Sequence, residues 1–382
     1  MRNDAWQPDV LEGFEQRPLS LPGGQTATLV RRRATGSPHQ AADAAGPTPS
    51  PAAGSPAADR DDAVAPTPGP AANSQSAGRP GPPSGGAGGG PGGAGGGASG
   101  AGAGAGRRPA VLYLHGFVDY FFQAHLAEAF ERRGYRFYAI DLRGYGRSLE
   151  RGEDREHPNF VPEIAVYGED LTAAAQAIAQ EEGHRELVGL GHSTGGLILP
   201  LWASKRPEPL RALVLNSPWL DFNANWFMRG PVTKLMGLFA KVAPMAPISG
   251  LKVHYGRALH RDTGGEWDYD LAWKPHDGFP TYPVWFTSVR RWQARIARGI
   301  EVGCPVLMMT SLRRGDPARH HPELLTTDSI LDPAQMWRLA PKLGADVEVR
   351  ALEGGAHDLS LSPEPTRSRF LAETLDWLDR VT

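Results

Sequence analysis

A series of short apolar runs, each ending in glycine or a polar residue, constrains this chain more than any other feature. Ala110–Leu114 ends in His115-Gly116, and Arg136–Ile140 runs into Asp141-Leu-Arg-Gly-Tyr-Gly-Arg-Ser148. Glu186–Leu190 leads into Gly191-His-Ser-Thr-Gly-Gly196, and Arg211–Leu215 into Asn216-Ser217-Pro218. Pro305–Met309 and Val347–Leu352 complete the set. Helical patterns lie between several of them, over 121–133, 163–180 and 196–205. Strands apolar on both faces, alternating with helices, predict a mostly parallel sheet covered on both sides, an α/β architecture. Open sheets of this kind bind ligands beyond the carboxyl ends of their strands, so the polar endings mark one working edge. The amphipathic stretch 365–381 predicts a terminal helix packed on the sheet.

The remaining segments fit around that body. Residues 34–106 are almost wholly Ala, Gly, Pro and Ser, and cannot bury enough surface to offset their ordering entropy; they read as a disordered low-complexity insertion. Before them, 1–33 predicts a β-hairpin belonging to the main sheet, with strands over Val10–Ser20 and Gln25–Arg32 about the turn Leu21-Pro-Gly-Gly24. Residues 107–382 then form the main domain. The alternation breaks between Asp221 and about Val302, where Trp226, Phe227, Met228, Trp267, Tyr269, Trp273, Trp285 and other large residues crowd together. That stretch reads as an inserted cap, most of its aromatics serving as core and a few lining a pocket.

Charge and cysteine content narrow the function. A formal net charge of −2 argues against a partner that tracks nucleic-acid phosphates, and the short arginine clusters read as solvated faces. The single cysteine, Cys304, excludes an intrachain disulfide. The first residues carry Asp4, Asp9 and Glu12 without an apolar run, unlike a signal peptide, and no segment of about 18 apolar residues could span a membrane. The expectation is a soluble cytoplasmic protein acting on a small or lipid-like acyl substrate, with no cofactor and no metal; His320-His321 lacks a third ligand at convincing spacing.

The chemistry centres on Gly191-His192-Ser193-Thr194-Gly195. The pattern G-x-S-x-G gains its force from context: a buried strand precedes it and an apolar helix follows, so Ser193 would stand on a sharp strand-to-helix turn. Pro200 is awkward within that helix. A serine hydroxyl needs an adjacent base. His357, in the Gly-rich loop after the last strand, is the candidate; His115 and His192 border backbone turns and read as structural. An acid orienting the histidine is expected between Ser193 and His357 in chain order. Asp328 is favoured, with Asp316 and Asp332 as alternatives. The backbone N–H groups of Phe117 and Thr194 are candidate oxyanion donors.

With these parts in order, the chain from about Ala110 onward resembles the α/β-hydrolase superfamily. The nearest likeness is to the monoacylglycerol lipase, lysophospholipase and serine aminopeptidase-like group. His-Gly-Phe at 115–117, Asp-Leu-Arg-Gly-Tyr-Gly-Arg-Ser at 141–148, Gly-His-Ser-Thr-Gly-Gly at 191–196 and Gly-Gly-Ala-His at 354–357 carry it. The resemblance implies an α/β-hydrolase fold in which Ser193 is acylated, His357 is base then acid, Asp328 holds the imidazole, and Phe117 and Thr194 form the oxyanion hole. It implies cleavage of carboxylic esters of the lipid type, monoacylglycerols or lysophospholipids. An aminopeptidase or amidase on the same scaffold is the alternative; as an exopeptidase it would need cap acids such as Glu266, Asp268 or Asp270 to hold a free amine. A non-catalytic binding protein would be expected to have lost part of the triad. Epoxide hydrolases of similar fold carry aspartate where this chain has Ser193. The stretch Leu312–Thr327 departs from the group's compact loop.

Overall fold

The computed structural model describes residues 5–33, 108–149, 156–206, 210–222, 226–248 and 253–382. The low-complexity insertion 34–106 lies outside them, as do the side chains of Trp226, Phe227 and Met228.

Apolar runs become strands at β1 (Gln7–Pro8), β2 (Phe14–Ser20), β3 (Thr26–Arg32), β4 (Ala110–Leu114), β5 (Arg136–Asp141) and β6 (Leu187–His192). They continue with β7 (Ala212–Asn216), β8 (Val306–Ser311) and β9 (Val347–Leu352). Among the described residues these make one nine-stranded sheet in the order β1-β2-β3-β5-β4-β6-β7-β8-β9. β4 to β9 pair in parallel, and β3 joins them antiparallel along β5, with Leu29 opposite Ile140.

Alternate residues of the central strands feed two cores. Leu112, Leu114, Ile140, Leu213, Leu215 and Met308 face one side, while Val111, Tyr113, Val188, Val214 and Met309 face the other. A strand buried on both faces must be apolar at every position, which is why these runs show no alternation in sequence. β9 differs. It lies at the sheet edge, Val349 is exposed, and Arg350 bonds Glu348 on the solvent side.

Helices α1 (Ala124–Arg132), α2 (Tyr167–Gln176) and α3 (Gly195–Ala203) occupy the connections. α1 puts Leu126 and Phe130 on one face together with Phe370, Trp377 and Leu378 of the last helix, Thr366–Val381. α2 and α3 cover the opposite face with Leu171, Leu197 and Leu199. Boundaries differ from expectation where side chains intercept the backbone. The first hairpin strand starts at Phe14 because Asp9 accepts the Leu11 N–H at 2.8 Å, closing a turn at 9–13. α1 starts at Ala124 because the Phe121 N–H goes to Asp141 and the Phe122 N–H to the Gln123 side chain. α3 runs on through Pro200, whose carbonyl still accepts the Ser204 N–H at 3.0 Å; nothing in the structure explains why proline stands there.

Between β7 and β8 the chain leaves the sheet and forms α4 (Trp226–Val242), α5 (Val253–Leu259) and α6 (Pro283–Ala297) above the carboxyl edge. Trp285, Phe286 and Val289 of α6 enter the main core, and Trp285 packs against Phe117 with ring centroids 4.7 Å apart and planes tilted by 35°. α7 (Pro333–Leu339), opened by an Asp332 side-chain cap on the Ala334 N–H, precedes β9. No helix among the described residues is long and apolar enough to cross a membrane.

Candidate active site

Close packing sets the turn that carries Ser193. β6 ends at His192 and α3 begins at Gly195, leaving Ser193 at φ 51° in the left-handed region. A Cβ on Gly195 would lie 2.4 Å from the Leu114 carbonyl oxygen, so this backbone approach is open only to glycine. The turn is pinned from β7, where the Asn216 carbonyl accepts the Ser193 N–H at 3.0 Å. The hydroxyl stands at the carboxyl edge of the sheet.

His357 reaches it from the loop after β9. Its Nε2 lies 3.0 Å from Ser193 Oγ, and its Nδ1 lies 3.0 Å from Asp328 Oδ2. Asp328 is fully buried, and its other oxygen, Oδ1, accepts the N–H groups of Ile330 at 3.0 Å and Leu331 at 2.7 Å. Those two donors aim Oδ2 at the imidazole. The alternatives lie elsewhere. Asp316 pairs with Arg319 at the surface, and Asp332 caps α7.

The distance of Asp328 along the chain from β8 follows from the path of the loop. The Asp328 N–H bonds the Arg313 carbonyl at 2.9 Å and its carbonyl accepts the Gly315 N–H at 2.7 Å. The chain therefore makes an excursion after Arg314 and returns to the strand end at Asp328, in a short parallel bridge.

Phe117 and Thr194 flank the hydroxyl. Gly116 lets the Phe117 loop pass close, since a Cβ there would meet His192 Cδ2 at 3.1 Å and Ser193 Cβ at 3.2 Å. No hydrogen bond among the described residues takes the Phe117 or Thr194 backbone N–H.

A family model described as "Serine aminopeptidase, S33" (Hydrolase_4) matches residues 105–263. A monoacylglycerol lipase of Paleococcus ferrophilus superimposes with a TM-score of 0.53 at 20% identity, covering 72% of this chain and 96% of that one. A soluble variant of the monoglyceride lipase of Saccharomyces cerevisiae does so with 0.53 at 20% identity, covering 72% and 87%. The chain has the α/β-hydrolase fold. Among curated proteins, the chain is 28% identical to a monoacylglycerol lipase of Mycolicibacterium smegmatis over 145 residues, 38% of this chain and 49% of the relative. It is 32% identical over 123 residues to a bifunctional epoxide hydrolase 2 of Sus scrofa, 31% of this chain and 20% of the relative. The chain thus spans about half the length of the first relative and a fifth of the second.

Several residues of the candidate site stand in no motif. Asn216 is the central tie: besides holding Ser193, its Nδ2 donates to Asp358 Oδ1 at 2.7 Å and its Oδ1 accepts the Leu359 N–H at 3.1 Å. It thereby fastens the serine turn to the histidine loop. Burial would push the Asp358 carboxyl up, but the charge of His192 and donors on Ser360 and Asn216 hold it below its ordinary value. His192 packs against His357, ring centroids 5.0 Å apart, and burial lowers its pKa. His115 is also lowered by burial; its Nδ1 faces the Gly116 carbonyl at 2.7 Å and its Nε2 accepts the Leu142 N–H at 3.1 Å. The only signal for Asn216 and Asp358 in sequence is their position, one at a strand end and one beside His357.

Asp119, His192 and Asp358 are the one group of possible metal ligands whose atoms converge among the described residues, within 4.8 Å of one another. Both carboxylates already accept hydrogen bonds within the protein. Asp358 takes the bonds given above, and Asp119 Oδ1 accepts from Lys274 Nζ at 2.7 Å. His321, outside this group, turns its Nε2 to the Asp316 carbonyl at 3.0 Å.

A cavity of about 250 Å³ opens over Ser193 and His357. Trp219, Phe222, Leu259 and Leu331 give it mostly apolar walls, with Tyr255 and Lys274 from the cap among the polar ones. The cap acids are not part of it. Glu266 pairs with Arg367, Asp268 with Arg261, and Asp270 caps the Ala272 N–H.

Proposed function

We propose that this chain is a serine hydrolase that cleaves carboxylic esters of lipid-like acyl groups, such as monoacylglycerols or lysophospholipids. The reading rests on one observation above all: the relay from Asp328 through His357 to Ser193, two contacts of 3.0 Å each, at the floor of an apolar cavity.

Chemically, His357 Nε2 takes the Ser193 proton as Oγ bonds to the ester carbonyl carbon. The carbonyl oxygen becomes an oxyanion, which the N–H groups of Phe117 and Thr194 receive. The tetrahedral adduct collapses, the C–O bond to the alcohol breaks, and His357 returns the proton to the leaving oxygen. A water then repeats the sequence on the acyl-enzyme, releasing the fatty acid and regenerating Ser193. Asp328 keeps the proton on Nδ1, so that Nε2 is free to act as base, and stabilises the imidazolium that forms.

Among the described residues, nothing favours the aminopeptidase reading's amine site. The cap acids it needs are engaged at the surface, and the one acid among the cavity walls, Asp119, is paired with Lys274. Similarity to epoxide hydrolases, 32% identical over 123 residues in the Sus scrofa protein, warrants an epoxide in the substrate panel.

Activity-based labelling tests the proposal. A fluorophosphonate should label the protein at Ser193 and Ser193→Ala should abolish both labelling and hydrolysis of p-nitrophenyl esters. A wild type that is neither labelled nor active on any ester would overturn the reading. Turnover of the epoxide in Ser193→Ala would point to a different chemistry.

A further inference from the structure

Val118, directly after Phe117, sits at φ 50°, a left-handed conformation that a β-branched residue rarely adopts. Such strain persists only where the surroundings over-determine it. Here they do. Lys274, from the cap, donates to Asp119 Oδ1 at 2.7 Å and reaches the Val118 carbonyl at 3.4 Å. Asp119 Oδ2 in turn accepts the Gly116 N–H at 3.4 Å. Both side chains are largely removed from solvent, Asp119 at 3% and Lys274 at 16% exposure. The contacts bracket Phe117, with Gly116 held on one side and Val118 on the other.

We propose that Lys274 and Asp119 are positioning residues that clamp the Phe117 loop to the cap and fix the direction of the Phe117 N–H. The proposal rests on the reading of that N–H as an oxyanion donor. It makes the cap part of the machinery: the cation that completes the loop comes from the inserted segment, not from the sheet.

The pair also solves an electrostatic problem. Asp119 lies close to His192 and Asp358, and so near the place where negative charge would develop. A bare carboxylate there would oppose the oxyanion, and the Lys274 ammonium offsets it. Removing the ammonium alone therefore does more harm than removing both charges, because it leaves a buried unpaired charge.

The test compares Lys274→Met, Asp119→Asn/Lys274→Met and Lys274→Arg with wild type on a short p-nitrophenyl ester. Lys274→Met should lower kcat by roughly 10–100-fold while KM changes little, since a displaced donor weakens the transition state more than the ground state. A trifluoromethyl ketone should bind more weakly by the same factor as kcat/KM falls. The double variant and Lys274→Arg should each recover part of the loss. Amide hydrogen exchange across 115–122 should quicken in Lys274→Met. Wild-type kcat in Lys274→Met, or a double variant worse than the single, would overturn the clamp. Should Lys274→Met not fold, the double variant, which leaves no buried charge, carries the same kcat and exchange measurements. If the wild type hydrolyses no ester, the hydrolase reading fails by itself, and the exchange rates still decide: faster exchange upholds the clamp and unchanged exchange refutes it.

Discussion

Asp328→Asn probes the acid most directly, and the structure supplies the magnitude. Asp328 Oδ1 accepts two backbone N–H groups, from Ile330 and Leu331, while Oδ2 faces His357 Nδ1. An asparagine in this place keeps its oxygen on the two donors and turns its NH₂ to the imidazole. Reversing the amide would forfeit two hydrogen bonds of about 0.5–1.5 kcal/mol each and set NH₂ against two N–H groups. At a reversal cost of ~2 kcal/mol only about 3% of molecules carry the productive orientation, at 1.36 kcal/mol per decade. In the rest, Nδ1 accepts the amide proton, the imidazole proton moves to Nε2, and Ser193 loses its base. We therefore expect kcat to fall by at least ~30-fold from the tautomer alone, and toward ~10⁴-fold once the lost negative charge is included. The assay is steady-state hydrolysis of p-nitrophenyl butyrate, with thermal melting to establish that the variant is folded. Asp316→Asn and Asp332→Asn serve as comparisons and should stay near wild-type kcat. A folded Asp328→Asn within a few-fold of wild type, or an Asp316→Asn as damaged as expected for Asp328, would refute the reasoning.

Other perturbations probe the frame. Gly195→Ala should cost both stability and fluorophosphonate labelling, because its methyl would meet the Leu114 and His115 carbonyl oxygens at 2.4 and 2.6 Å; Gly230→Ala, with nothing within 4 Å, should be neutral or slightly stabilising by thermal melting. Arg147→Met should lower unfolding free energy in urea by about 3–5 kcal/mol, since it strands the carboxylates of Asp9 and Asp141, both fully buried. A loss below 1 kcal/mol would contradict the network. Burial holds the His115 pKa below its ordinary 6.5, so the folded chain resists a proton that the unfolded chain accepts. Its contribution is complete above that pH and drains as pH falls through it. The stability gap between wild type and His115→Gln should narrow from pH 7.5 to 5.5, and a constant gap would show the reasoning wrong.

The sheet was legible in sequence because burial on both faces leaves continuous apolar runs, as in Ala110–Leu114 and Leu187–Leu190. Ser193 and His357 stood out as candidates because each follows such a run in a glycine-rich setting, and the fold brings them within 3.0 Å. Asp328 was legible only as one of several acids. Which of them returns to the strand end depends on hydrogen bonds to Arg313 and Gly315, formed across a loop with no periodicity. Asn216, Asp119 and Lys274 bond partners far along the chain, Lys274 being 155 residues from Asp119. A local pattern carries no record of such a contact. Helix starts were misjudged for a similar reason: Asp141 takes the Phe121 N–H and delays α1.

The way β3 and β4 sit in the sheet has a consequence for the long stretch that joins them. Arg136, at the start of β5, lies opposite Ala110 and donates to the Arg32 carbonyl at 2.8 Å, so the end of β3 and the start of β4 flank one residue. With one strand between them they are roughly 10 Å apart, at about 4.8 Å per strand. Four or five extended residues would bridge that gap. Both ends lie on the rim opposite the serine, a β-strand's length of roughly 17 Å away. The sheet therefore asks almost nothing of residues 34–107 as a connection. Their junctions form a natural port, where a tether, a reporter or a second domain could be exchanged without touching the rim on which Ser193 stands.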